Sequence, residues 1–298
     1  MPLSLISDLR SVALNVPDLK QAEEFYTKVW LLDVVARRDE AVYLRGTGPD
    51  HHILSLHLAD RPTIRDLTFR ARSADLLKAI ATEAVAAGGR VVAPVAKSDD
   101  PARGTALTIA DPQGRILRFV HGDTTHKDAS ETRDRPIRLS HVVLNSSAVD
   151  AERGFFERCM GLTLSDRTRI MAFLRCNTDH HCIALAEGEG PSLNHIAFLM
   201  RDLDGVMRGG GRLSEAGFPI VWGPGRHGPG NNLFNYFVDP FGFAIEYTAE
   251  VQQVDDSYRT GGPEDWKWPP GRIDHWGISQ PPSPKLKDAQ KAIFFEKA

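Results

Sequence analysis

The sequence predicts an α+β fold of two homologous domains, each built from two β-α-β-β-β modules. Two observations predict it. The chain repeats itself at a shift that stays near 130 residues, and each copy alternates strand-like runs with one helical stretch. "LRSVALNVPD" (9–18) lies over "LSHVVLNSSAVD" (139–150), "DHHILSL" (50–56) over "DHHCIAL" (179–185), and "IADPQGRILRF" (109–119) over "FVDPFGFAIEY" (237–247). The repeat places one domain at 1–125 and a second at 137–250. The polar stretch between them, centred on 126–136, reads as a linker, and 251–298 forms a tail outside the repeat.

Each element follows from its composition. "LSHVVLN" is β-branched and apolar, as a buried strand requires, and "AVDAERGFFERCM" spaces its apolar residues as a helix does. Strands follow around "LTLSDRT", "IMAFLRC" and "HCIALAE". The order then recurs: the strand "LNHIAFLM", the helical "LDGVMRGGGRLSEAG", and strands near "PIVW", "LFNYFV" and "FAIEYTA". The glycines at 209–211 weaken the second helix on propensity alone.

The 298 residues are 42% hydrophobic and 25% charged with a net charge of −3, the composition of a globular protein large enough for two cores. No basic run suggests nucleic acid, no apolar stretch reads as a membrane span, and no leader pattern opens the chain. The expected location is cytoplasmic. Cys159, Cys176 and Cys182 lack the spacing of a zinc or redox site and read as buried free thiols in a reducing compartment.

The two copies differ where chemistry is expected. Glu246 lies between Ile245 and Tyr247 in a strand pattern, and an unpaired carboxylate is costly there. His141 opens the first strand of the second domain, and His195 holds the same place in that domain's second module. The first copy has Ser11, Asp66 and Arg118 at the three equivalent positions. A structural need common to both copies would leave similar residues in both. Two imidazoles and one carboxylate instead suit a divalent metal, bound on one face with open positions for substrate and oxygen.

With these residues in place, the chain resembles the type I extradiol ring-cleaving dioxygenases, the catechol 2,3-dioxygenase-like members of the vicinal oxygen chelate superfamily. The resemblance covers residues 1 to about 250. Its most specific part is Gly-x-His at 225–227, Tyr236, Asp-Pro-x-Gly at 239–242, and Glu246; Asn235 departs from the usual apolar residue. It implies that paired modules form a half-open barrel in each domain, with the metal-binding copy second. It further implies Fe(II), or Mn(II), held by His141, His195 and Glu246, and His181 as the acid/base beside the oxygen site. His227 and Tyr236 would hydrogen-bond the diol, with His180 a neighbouring candidate. The expected partners are a small aromatic diol and O2, and the expected assembly a homo-oligomer.

Trp222 and the loop "GPGRHGPGNN" precede Tyr236 and are expected near the mouth of the site, with Asn231 and Asn232 as substrate contacts. The tail holds three of the five tryptophans, Trp266, Trp268 and Trp276, and is expected to pack across the second domain, with His275 structural. Two other functions fit the fold. One is a glyoxalase-like metal-dependent isomerase or lyase, which has no use for His181, His227 and Tyr236 together. The other is a non-catalytic aromatic-ligand binding protein, which has no use for the triad.

Overall fold

The computed structural model describes residues 4–127, 132 and 134–296, so residues 128–131 and 133 of the expected linker lie outside the described residues. The first module comprises β1 (Ile6–Val16), α1 (Leu19–Glu24), β2 (Asp33–Arg38), β3 (Ala41–Arg45) and β4 (Leu54–Leu58). The second comprises β5 (Thr63–Ala71), α2 (Ala74–Ala86), β6 (Arg90–Lys97), β7 (Thr105–Ala110) and β8 (Ile116–His121). The third has β9 (Arg138–Ser146), α3 (Val149–Met160), β10 (Thr163–Arg167), β11 (Met171–Arg175) and β12 (Ile183–Glu187). The fourth has β13 (Leu193–Leu199), α4 (Leu203–Glu215), β14 (Trp222–Arg226), β15 (Leu233–Val238) and β16 (Ala244–Ala249). The tail ends in α5 (Pro284–Ala292). None of the described helices is long and apolar enough to cross a membrane.

Modules pair into two eight-stranded sheets of identical topology. The order is β2-β3-β4-β1-β5-β8-β7-β6 in the first and β10-β11-β12-β9-β13-β16-β15-β14 in the second. The outer strands of each sheet do not pair with one another, so each curves into an open trough whose centre is the antiparallel pair β1–β5 or β9–β13. The repeated Asp-Pro-x-Gly sequence has a local cause. In the second copy Asp239 Oδ1 accepts from the backbone of Phe241 and Phe243, and in the first Asp111 Oδ1 accepts from Gln113 and Arg115. Each closes the hairpin into the last strand of its sheet.

Helix α4 runs unbroken through the three consecutive glycines 209–211. A Cβ on Gly209 would lie 2.6 Å from the Tyr247 ring, and one on Gly210 3.0 Å from the Asn235 amide. The missing side chains let the helix sit close against β15 and β16, and that packing outweighs the propensity cost. Asn235 therefore faces α4, away from the trough, and donates to the Val206 carbonyl at 3.4 Å.

One core runs through both copies. Helix α1 continues as a π-helical turn, Phe25–Val29, and its end packs on the back of the second sheet. Trp30 is fully buried and stacks on Tyr247 with centroids 3.8 Å apart, while the Tyr247 hydroxyl donates to the Trp30 carbonyl at 3.1 Å. The Tyr26 hydroxyl donates to Asp239 at 2.9 Å. The first copy thus buttresses the hairpin that carries Glu246. Trp30→Ala is expected to cost about 3–5 kcal/mol. Urea denaturation followed by circular dichroism should show this as one shifted transition; two separate transitions would mean that the copies do not share a core.

Candidate metal centre

Strand register assembles the site. Across the second sheet His141 pairs with Ala197, Ala197 with Glu246, Glu246 with Tyr236 and Tyr236 with Trp222. Side chains at paired positions point to the same face, so this row lines one side of the trough. His195 lies two residues before Ala197 and joins the same face. Its Nε2 is 3.0 Å from Glu246 Oε2, and His141 Nε2 is 3.3 Å from that atom. The donor atoms of the three residues all lie within 4.8 Å of one another, and all three side chains are buried.

The first sheet has the same row: Ser11 pairs with Thr68, Thr68 with Arg118 and Arg118 with Thr108, and Asp66 lies two residues before Thr68. Ser11, Asp66 and Arg118 therefore stand in register where His141, His195 and Glu246 stand. Among the described residues only the second copy gathers a metal-ligand group.

The chemistry of the three donors fits a divalent cation. His141 Nδ1 faces Ser140 Oγ at 3.1 Å and His195 Nδ1 faces Asn194 Oδ1 at 2.9 Å. An Nδ1–H donated to each oxygen leaves both Nε2 lone pairs turned towards Glu246. Glu246 Oε2 is buried without a hydrogen-bond partner. Burial works to raise the Glu246 carboxyl, but positive charge on the facing imidazoles, as a proton there supplies, holds it well below the usual carboxylate range. Burial, partly offset by Glu246, lowers His195. Three acceptor atoms converging on one point suit a metal ion better than they suit one another.

Further polar groups surround this point. His181 is buried with its ring 4.3 Å from that of His141, and burial, followed by the neighbouring histidines, pushes its pKa well down. His227 Nε2 lies 3.1 Å from the Tyr236 hydroxyl. Burial, then the nearby Glu246, pushes the Tyr236 phenol well up, and desolvation lowers His227 to about 4 despite the opposing charge of Glu246. Trp222 stacks on Tyr236 at 4.9 Å, with its indole nitrogen buried and unpartnered. Asn232 donates to Thr248 at 2.8 Å and leaves its Oδ1 unpartnered.

A model of the Glyoxalase/Bleomycin resistance protein/Dioxygenase superfamily matches residues 9–119 and again 138–247. The chain belongs to this superfamily. Among curated relatives, the chain is 27% identical to metapyrocatechase 2 of Cupriavidus necator, over 94% of this chain and 92% of that one. It is 22% identical to a manganese-dependent 2,3-dihydroxybiphenyl 1,2-dioxygenase of Geobacillus genomosp. 3, covering 79% and 82% of the two chains. The Mn(II)-bound glyoxalase from Novosphingobium aromaticivorans superposes with a TM-score of 0.88 at 34% identity, over 95% of this chain and 94% of that one. Homoprotocatechuate 2,3-dioxygenase of Arthrobacter globiformis also gives 0.88, at 22% identity over 99% and 94%, and this likeness speaks for the fold alone.

Within this superfamily fold, several residues not anticipated from sequence complete the site. Asp166, fully buried in β10, accepts from His180 Nε2 at 2.8 Å, the Tyr258 hydroxyl at 3.0 Å and the Gly261 backbone at 2.7 Å. His180 Nδ1 in turn lies 3.1 Å from His181 Nδ1, so both nitrogens of His180 are engaged behind His181. The signal in the sequence was the one that betrayed Glu246, a charged residue inside a strand. Gly230 brings the loop backbone against this pair at φ +79°, where a Cβ would meet His181, Asn232 and His180 within 3.2 Å. Asn231, expected from the sequence as a substrate contact, instead bonds through Oδ1 to His275 Nδ1 at 3.1 Å, in the tail.

The tail covers the outer side of β14. A Cβ on Gly228 would strike Trp268, Arg226 stacks over Trp276, and His275 donates its backbone N–H to the Arg226 carbonyl at 2.7 Å.

The lowered His227 has a thermodynamic consequence. Between pH 6.5 and about 4 the unfolded chain binds a proton at this position that the folded chain does not, so stability present above pH 6.5 is lost as pH falls through the folded value. In urea titrations of metal-free protein from pH 7 to 4.5, the midpoint of the wild type should fall more steeply than that of His227→Gln. Parallel curves would place a protonated imidazole at 227.

Proposed function

We propose that the chain is an extradiol dioxygenase that opens the ring of a catecholic substrate with O2 beside the vicinal hydroxyls, as part of aromatic catabolism. The observation that carries it is the unpartnered Glu246 Oε2 facing His195 and His141 Nε2, inside a ring formed by His181, His227 and Tyr236. His141, His195 and Glu246 are the metal ligands in this reading, and Fe(II) is the metal, with Mn(II) accepted by the same donors. Curated relatives named for catechol cleavage support it, and relatives named as iron-dependent and manganese-dependent support each metal. A metal held by His141, His195 and Glu246 would supply Lewis acidity to a diol hydroxyl and a common binding point for the diol and O2.

The protein's own groups then have defined tasks. The Asp166 carboxylate accepts the Nε2–H of His180, which leaves His180 Nδ1 to accept the Nδ1–H of His181. His181 Nε2 is consequently bare, and with its pKa held down it is neutral and able to take a proton from the diol and return it later in the reaction. Tyr236, with its ionisation suppressed, remains a hydrogen-bond donor to an ionised diol oxygen, and His227 Nε2 orients that hydroxyl. Trp222 and Asn232 each hold one unpartnered polar atom for the substrate, and His180 acts through His181.

In this reading the copy spanning 137–250 is catalytic and the copy spanning 1–125 holds no metal. The exposed edge strand β6, with Val91 and Val92 facing solvent, suits contacts within a homo-oligomer. The buried free cysteines suit a reducing cytoplasm.

A second reading, a metal-dependent isomerase or lyase, is favoured by the 34% identity to the Mn(II)-bound glyoxalase. Anaerobic loading with Fe(II) or Mn(II), followed by oxygen uptake and absorbance with catechols and 2,3-dihydroxybiphenyl, separates the two. Stoichiometric O2 consumption with a coloured ring-opened product is expected, absent in Glu246→Ala. Metal binding with no diol-dependent oxygen uptake would overturn the dioxygenase in favour of the isomerase. His181→Ala should lower kcat by about 10²–10⁴-fold with KM changed far less; an unchanged kcat would remove His181 from proton transfer.

A further inference from the structure

We propose that helix α5 fixes the tautomer of His195, and through it the metal affinity of the site, by a chain of amide hydrogen bonds. The inference rests on the metal-centre reading above. Its starting point is an atom with only one possible role: the backbone carbonyl of Gln290 in α5 can only accept, and it lies 2.6 Å from Asn145 Nδ2. That contact obliges Asn145 to present its NH2 group there, where it also donates to Ser192 Oγ at 2.9 Å. Its Oδ1 then faces Asn194, whose Nδ2 donates to it at 3.0 Å. Asn194 in consequence turns its own Oδ1 towards His195 Nδ1, 2.9 Å away. An amide oxygen cannot donate, so the ring proton of His195 sits on Nδ1. Nε2 keeps its lone pair, 3.0 Å from Glu246 Oε2. The Gln290 side chain closes the chain by donating from Nε2 to the same Asn194 Oδ1 at 2.9 Å.

The carbonyl that starts the chain is held firmly. Beyond α5 the Leu193 N–H donates to the Ile293 carbonyl at 2.8 Å and the Ile64 N–H to the Phe294 carbonyl at 3.0 Å, while Leu286, Ile293 and Phe295 are buried. The C-terminal segment is thereby pinned to the central strands of both sheets.

The first copy provides an internal control. Asn15, the counterpart of Asn145, donates to Thr63 Oγ1 at 2.9 Å and to Glu296 Oε2 at 3.0 Å, so it too touches the C-terminal segment. Its Oδ1, however, is buried without a partner. Arg65 stands where Asn194 stands in the second copy, and the next residue is Asp66 instead of a histidine. The chain of amides is completed only in the copy that carries the imidazole.

A neutral imidazole has two tautomers, and only the Nδ1–H form offers Nε2 to a metal without rearrangement. Asn145, Asn194 and Gln290 are positioning residues, acting on His195 from outside the donor set. Two measurements test this. Long-range ¹H–¹⁵N correlation of metal-free, ¹⁵N-histidine-labelled protein, with the His195 signal assigned by its loss in His195→Gln, should find the proton on Nδ1. Chelator competition should give Mn(II) dissociation constants weaker by about 10–100-fold for Asn145→Leu and Asn194→Leu. Gln290→Leu, which keeps the backbone carbonyl, should lose less, and Asn194→Asp, which keeps an acceptor on Nδ1, should retain most of the affinity. A proton on His195 Nε2 with none on Nδ1 in the wild type overturns the proposal even if a variant fails to fold, and so do wild-type affinities in both leucine variants. Failure of the wild type to bind Mn(II) would instead count against the metal centre, with the tautomer still decided by the metal-free spectrum.

Discussion

A carboxylate oxygen buried 3.0 and 3.3 Å from two imidazole nitrogens is tolerable only if something positive, a proton or a metal ion, completes the group. Glu246 imposes that condition on the whole second sheet. It requires β9, β13, β16 and β15 to hold one register, because a slip of a single residue in any of them would turn its functional side chain to the opposite face. The same alternation puts Tyr247 on the back of β16, where it meets the first copy. Stability on one face of the strand and chemistry on the other are consequences of one pleat.

The duplication made much of this legible from sequence. Repeating the module fixed the element order, and comparing the copies exposed His141, His195 and Glu246 as the positions where the second departs from the first. The same comparison is blind to residues that come from outside the repeat. Asp166 sits in a strand, but its partners Tyr258 and Gly261 come from the tail, whose Pro-rich sequence carries no period to place it. Helix α4 was obscured by its glycines, because helix propensity records the cost of a missing Cβ and not the closeness of Tyr247 that the absence permits. The resemblance set His181 ahead of its neighbour His180 in "DHHCIAL", and the position of Asp166 against His180 supplies a physical difference between the two.

The tail gives the two copies their asymmetry in space as well as in chemistry. Its tryptophans cover the outer side of β14, while β6, the equivalent strand of the first sheet, is left largely exposed. The trough that holds His141, His195 and Glu246 is thus the more enclosed of the two. In such surroundings water competes less with the few groups aimed at the centre, and each hydrogen bond there acts in a lower dielectric.

The contact of Trp30, Tyr26 and Phe25 with the second sheet bears on how such a chain can diverge. After a duplication, a position that meets only its own copy is freer to drift than one that must match the other, and the row of Ser11, Asp66 and Arg118 has that freedom. The outward side of α1 and its π-helical turn does not: Phe25 packs edge-on to Phe218 at 4.7 Å, and Tyr26 holds the aspartate of the hairpin behind Glu246. Mutational tolerance within the first half is therefore expected to be uneven, and narrowest along the ridge it lends to its neighbour. A half exchanged with that of a distant homologue would fail if that ridge did not match.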